Sequence, residues 1–149
     1  MTKTPMDIAL DEARAAAARG EVPVGAVILD PASRQVVAAA GNRTRELNDP
    51  TAHAEVLAIR AACARLGDER LTGLDLYVTL EPCAMCAGAI SFARLRRLYF
   101  GADDPKGGAV ASGPRFFAQA TCHHAPEVYD GIGGEAAAEL LKAFFRDRR

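Results

Sequence analysis

The sequence lacks a dominant sign of charge: 18 lysines and arginines stand against 19 aspartates and glutamates, a formal net charge of -1. That balance excludes a strongly basic domain built for broad nucleic-acid affinity, though not a local basic face. No apolar run approaches the roughly 18 residues of a membrane-spanning helix. The stretch Met1-Thr2-Lys3-Thr4-Pro5 leads to Asp7, Asp11 and Glu12 without the apolar core of a secretion signal, so the expected compartment is the cytoplasm. Cysteine is scarce, 4 in 149 residues, and only Cys83 and Cys86 are close together. Such spacing suits thiols or metal ligands and not a disulfide framework. Linkers, internal repeats and low-complexity stretches are also missing, while half the residues are hydrophobic. Residues 1–149 are therefore expected to form a single domain around one core.

What is present alternates between helix and strand. Met6 to Arg19 carries Ile8, Leu10, Ala13 and Ala17 near helical spacing and is followed by Gly20. Val22 to Leu29 reads as a strand covered on both faces, and Asp30-Pro31-Ala32-Ser33 turns it into Gln35 to Ala38 as a hairpin. Asp49-Pro50-Thr51 signals a second helix through Leu66, with His53 in its opening turn and Gly67 as its stop. Leu74 to Leu80 is a strand, Pro82 marks the first turn of a third helix through Ala93, and Leu95 to Phe100 is the next strand. Gly101 to Gly113 holds Gly101, Gly107, Gly108 and Gly113 and reads as a loop free to move. Glu127-Val128-Tyr129 adds a short strand, and Glu135 to Arg149 is an amphipathic helix with arginines in its last turn. This order predicts an α/β fold of three layers, αβα, with a mixed central sheet of about five strands, helices on both faces, and strands one and two as an antiparallel edge.

Chemistry concentrates at His53, Cys83 and Cys86. Two cysteines three apart at the start of a helix can reach one ion, and the positive helix end favours the thiolate that binds metal. With His53 they make three zinc ligands, and none of Cys63, Cys122, His123 and His124 has a spacing that pairs naturally with His53 as a fourth. Three protein ligands leave one position for water. Glu55 lies about 200° around the helix from His53, so it should not share the metal from the same face. A carboxylate beside a water made acidic by zinc accepts its proton and returns it to a substrate nitrogen.

His53-Ala54-Glu55 with Pro82-Cys83-Ala84-Met85-Cys86 is the pattern of zinc-dependent base deaminases. Together with Glu21 to Val27, Gly41-Asn42-Arg43, Asp49 to Ala52, Leu76 to Glu81, Gly88-Ala89-Ile90, Phe100-Gly101-Ala102 and Phe144-Phe145-Arg146, it resembles the bacterial tRNA-specific adenosine deaminases of the cytidine/deoxycytidylate deaminase superfamily over nearly the whole chain. The resemblance implies a cytidine deaminase-like fold and one Zn2+ per chain. It implies hydrolytic deamination of the wobble adenosine, position 34, of tRNA to inosine, with a zinc-activated water and Glu55 as proton shuttle. It further implies base contacts from Asn42 and the Ala54 backbone, anticodon contacts from Asp104 and Lys106, the anticodon arm as partner, and a homodimer. Met85, Ala89 and Phe92 on the helix Ala84 to Phe92 would line that homodimer. The segment Gly113 to Pro126 departs from the family, which usually has an Asn-His pair near here. Arg94, Arg96, Arg97, Arg146, Arg148 and Arg149 are either solvated positions or, with Lys106, phosphate contacts. Two other functions compete: a zinc-dependent deaminase of a free base or nucleoside of guanine or cytosine type, and a non-catalytic zinc-stabilised module, which needs a fourth protein ligand.

Overall fold

The computed structural model describes residues 3–148. Its first helix, α1 (Pro5–Ala18), opens one residue earlier than the periodicity predicts because Thr4 caps it. The Asp7 N–H donates to Thr4 Oγ1 at 3.1 Å, and the Thr4 N–H donates to the Asp7 carboxylate at 3.0 Å, so two otherwise unpaired donors are satisfied reciprocally. β1 (Gly25–Asp30) is shorter than the predicted Val22 to Leu29. Pro23 has no N–H for a ladder, and the Val24 N–H turns back onto the Val22 carbonyl at 2.8 Å. The hairpin then returns as β2 (Gln35–Gly41).

α2 (Ala54–Leu66) ends where expected, at Gly67, whose φ of 65° is a left-handed conformation that glycine adopts without strain. β3 (Asp75–Leu80) leads into α3 (Ala84–Ala93), so Pro82 stands before the helix and not within its first turn. β4 (Arg97–Ala102) begins two residues later than predicted, since the Arg96 N–H is used in the connection, on the Leu74 carbonyl at 2.8 Å. A short 3-10 turn (Phe116–Ala118), β5 (Glu127–Tyr129) and α4 (Gly134–Arg146) complete the chain.

The sheet has five strands in the order β2-β1-β3-β4-β5. β1 is antiparallel to both β2 and β3, whereas β4 is parallel to β3 and β5, so the sheet is mixed and its antiparallel edge is the predicted one. Alternation along the strands sorts side chains to two faces. Ala26, Ile28, Leu76, Val78, Leu98 and Phe100 pack with α2 and α3, while Val27 packs with α1 and α4 on the other side. On that second face the paired positions Tyr77, Tyr99 and Tyr129 stack across three strands, with ring centroids 4.3 and 5.0 Å apart.

α1 lies so close to β1 that a side chain at Gly25 would run into the helix backbone. A Cβ there would meet the Ala9 carbonyl, with the Ala13 nitrogen at 2.7 Å. Backbone atoms cannot step aside as a side chain would, so Gly25→Ala is expected to cost about 3 kcal/mol or more and to lower Tm by roughly 6–12 °C. Thermal unfolding followed by circular dichroism checks this; an unchanged Tm would show that the helix can shift freely.

Candidate active site

The carboxyl end of the parallel pair β3 and β4 is where open α/β sheets place their sites, and here two helices begin beside it. His53 is the N-cap of α2 and Cys83 the N-cap of α3, each with extended backbone (φ -72°, ψ 152° and φ -74°, ψ 177°). This differs from the expectation that both lie in first helical turns. Neither caps its own helix through its side chain. Both therefore point across the gap, where Cys83 Sγ lies 3.6 Å and Cys86 Sγ 3.5 Å from His53 Nδ1.

The donor set fits zinc. A tetrahedral ion with bonds of about 2.3 Å to sulfur and about 2.05 Å to nitrogen holds S and N about 3.6 Å apart. The three donor atoms lie within 4.8 Å of one another, and no other His, Cys, Asp or Glu of the described residues joins such a group. The fourth protein ligand that a purely structural zinc module requires is therefore missing among them. Electrostatics agrees with the geometry. Cys83 is brought down to about 4, chiefly by the hydrogen bond from Cys86, and His53 adds to this against the opposing effect of burial. Cys86 is raised, because it keeps the proton it shares with Cys83 and is buried. The Cys83 sulfur in turn raises His53, against burial.

Glu55, 4 % exposed, shares a cavity of about 320 Å³ with His53 and Cys83. Burial pushes its carboxyl above the ordinary range, with its own backbone N–H and His53 opposing. The Ala54 N–H belongs to the first residue of α2 and so has no partner within the helix. Asn42 lines the cavity from the other side. Its Nδ2 donates to Glu21 at 3.3 Å and to Thr44 Oγ1 at 3.2 Å. Asp104 also lines the cavity, and its carboxylate accepts the Gly107 N–H at 3.0 Å. Lys106 sits on the same turn but is exposed and outside the lining.

Two residues that sequence reasoning passed over shape these walls. Glu21, 1 % exposed, accepts the backbone N–H groups of Arg45 and Glu46 at 3.2 and 2.8 Å as well as the Asn42 amide. Glu81, 2 % exposed, takes the N–H groups of Asp104, Val110, Ala111 and Ser112. Burial would raise its carboxyl, yet these donors and the Ser112 hydroxyl hold it below the usual range. The glycine-rich loop expected to be free is thus anchored. The available signal was an acidic residue bordering an apolar strand.

Three of the six candidate phosphate-binding arginines, Arg96, Arg97 and Arg148, are committed within the fold. Arg96 holds Asp75 through two nitrogens at 2.9 and 2.7 Å, and Arg97 meets Glu127 and lies over the Tyr129 ring. Arg148 covers Phe144, Arg146 remains exposed, and Arg149 lies outside the described residues. His124 Nε2 donates to the Leu95 carbonyl at 2.7 Å, and Cys122 contacts Ser91 and the His124 carbonyl.

Removing one ligand tests the centre. Cys83→Ala is expected to lose zinc and to lower Tm, because metal binding is coupled to folding. Metal analysis and thermal unfolding of the purified protein check this; full metal occupancy at an unchanged Tm would refute it.

The model of the cytidine and deoxycytidylate deaminase zinc-binding region matches residues 1–102. The tRNA-specific adenosine deaminase of Agrobacterium fabrum is 65% identical over 144 residues, 97% of this chain and 93% of its own. Among solved structures, one from a study of A-to-I editing by tRNA:A34 deaminases at the wobble position of transfer RNA superposes with a TM-score of 0.90 at 65% identity, covering 92% of this chain and 98% of its own. A guanine deaminase from Nitrosomonas europaea has a TM-score of 0.82 at 25% identity, over 94% of this chain and 82% of its own. The chain belongs to the zinc-binding cytidine and deoxycytidylate deaminase family, among the tRNA-specific adenosine deaminases, and zinc is its metal.

Proposed function

We propose that residues 1–149 work as one hydrolytic deaminase domain that converts the wobble adenosine of tRNA, position 34, to inosine with release of ammonia. The observation that carries this reading is the meeting of a three-ligand zinc centre and a buried carboxyl in one base-sized cavity, in a chain 65% identical to a tRNA-specific adenosine deaminase. Guanine deaminases are less similar, 25% identical for that of Nitrosomonas europaea and 40% over 69% of this chain for that of Bacillus subtilis, which makes a free base the weaker substrate. An unpaired loop nucleotide is also easy to splay out, whereas extruding a base from a duplex costs about a few kcal/mol.

His53, Cys83 and Cys86 would hold the zinc, which would supply Lewis acidity and make a water ionisable near neutral pH. Glu55 takes the proton that this water loses as its oxygen bonds to C6 of the adenine, and passes it to N1. The hydroxyl proton of the resulting tetrahedral C6 then moves through Glu55 to the amino nitrogen, which leaves as ammonia. A carboxyl raised by burial suits both halves of this exchange. The Ala54 N–H, as the first amide of α2, has no partner within the helix and in this reading donates to the base edge. Asn42, with its amide nitrogen turned to Glu21 and Thr44, presents its remaining polar atom to the base edge. Asp104 and Lys106 border the flanking anticodon nucleotides.

Glu55→Ala is expected to fold, to keep about one zinc per chain and to lose turnover by about 10³-fold or more. Incubation with tRNA bearing a wobble adenosine, beside free guanine and cytidine, tests the substrate: inosine should appear in the tRNA alone. Deamination of guanine without change in tRNA would overturn the reading, and retained activity in Glu55→Ala would remove the proton shuttle.

The same reading includes a homodimer and a cytoplasmic location, where the tRNA is. Phe92 is 80% exposed on α3 and borders a shallow hollow of about 500 Å³ with Val56, Ile59 and Ala89. An aromatic ring left in water beside such a hollow suits a self-complementary contact. Sedimentation of Phe92→Asp is expected to show monomers where the parent sediments as a dimer; an unchanged profile would exclude this face.

A further inference from the structure

The turn between Asp104 and Ser112 forms one wall of the cavity through Asp104 and Gly107, yet it belongs to no helix or strand. Its internal bonds are few: the Gly108 N–H reaches the Asp104 carbonyl at 2.7 Å, and the Gly107 N–H reaches the Asp104 carboxylate. It is held by the Ala109 N–H on the Pro82 carbonyl at 2.9 Å, by the Phe116 N–H on the Ala109 carbonyl at 2.7 Å, by Val110 packing on the core, and by Glu81, which makes the largest share of its polar contacts. One carboxylate oxygen of Glu81 accepts the Asp104 N–H at 3.0 Å and the Ser112 hydroxyl at 3.0 Å. The other accepts three successive N–H groups, those of Val110 at 3.1 Å and of Ala111 and Ser112 at 2.9 Å each. Consecutive amides curled around an oxygen make an anion-binding nest, and here the anion is part of the protein.

The two sides of this contact need each other. A buried carboxylate stripped of its donors is strongly destabilised, and buried amides without an acceptor are destabilised too. The fit is also steric: a Cβ on Gly108 would lie 2.6 Å from the Glu81 carboxylate and 2.5 Å from the Asp104 carbonyl. Glu81 immediately follows β3 and stands two residues before the ligand Cys83, so it joins the rigid sheet end that carries the metal to the turn that borders the substrate.

We propose that Glu81 is a positioning residue for the RNA substrate: by gripping residues 104–112 it sets the wall against which the nucleotides beside the target base are held. The inference rests on the tRNA reading above for the identity of the substrate, but not for the grip itself. Losing the grip should weaken capture of RNA and leave the proton transfers at Glu55 intact, which separates KM from kcat.

The test uses the full zinc-loaded chain with Glu81→Gln, whose amide nitrogen must face N–H or O–H donors on one side, and with Gly108→Ala, whose methyl group forces the turn and the Glu81 carboxylate apart while the carboxylate keeps its charge. Both are expected to keep zinc. Amide hydrogen exchange at Asp104 and Val110 to Ser112 should be about 10-fold faster or more, and KM for an anticodon stem-loop with a wobble adenosine should rise about 10-fold with kcat within about 3-fold. Ser112→Ala, which removes a single donor, should move KM by less than about 3-fold and guards against misfolding of the stronger variants. Unchanged exchange in both strong variants, or a fall in kcat at constant KM, would overturn the proposal. Should the parent fail to deaminate the RNA, the tRNA reading falls, and the exchange data alone decide the grip: unchanged exchange would still overturn it, while faster exchange would sustain Glu81 as the anchor of this wall.

Discussion

Two helices begin side by side at one end of the sheet, and the residues at their starts turn a ring nitrogen and two sulfurs toward a common point. The rest of the molecule is arranged so that this convergence holds. α2 and α3 pack on the same face of the sheet, and their shared apolar layer, from Ala58 and Ala62 to Ile90 and Ala93, fixes the distance between their first residues. Neither His53 nor Cys83 spends its side chain on capping its own helix. The first amides of each helix lack partners within it and favour negative charge, and the Cys86 N–H is among the groups that hold Cys83 low.

Around this centre the cavity walls are loops, and loops need anchors. The structure supplies two buried glutamates at matching places, Glu21 just before β1 and Glu81 just after β3. Because β1 runs antiparallel to β3, these two chain positions end up at the same end of the sheet, and the Gly25 N–H donates to Thr79 Oγ1 at 3.1 Å between them. Glu21 gathers the loop after β2 and orients Asn42, while Glu81 gathers the loop after β4. A carboxylate is well suited to this work because it offers several lone pairs and donates nothing, so it can satisfy many amides of an irregular segment at once.

Much of the architecture was legible in the order of residues. The alternation of apolar and polar positions, the stops at Gly67 and the antiparallel first hairpin all follow from local rules, and the structure keeps them. Element edges were less legible. β1 loses Val22 to Val24 because Pro23 cannot join a ladder, and β4 starts late because Arg96 is occupied by Leu74 and Asp75. The arginines near β4 looked like free charge in the sequence, yet Arg96 and Arg97 pair with acids brought from other strands. Charge count alone cannot show which charges meet.

The sequence alone determined the layered α/β class and singled out His53, Cys83 and Cys86 as candidate metal donors, since hydrophobic period, helix signals and the short spacing from Cys83 to Cys86 are local properties of the chain. Only the tertiary structure decided that His53 Nδ1 meets those sulfurs at 3.5 and 3.6 Å, that no fourth donor arrives among the described residues, and that Glu81 pins a loop that reads as mobile. The reason is distance along the chain. Thirty residues separate His53 from Cys83 and as many separate Glu81 from Ala111, and contacts across such gaps depend on how the whole sheet and both helix layers pack together.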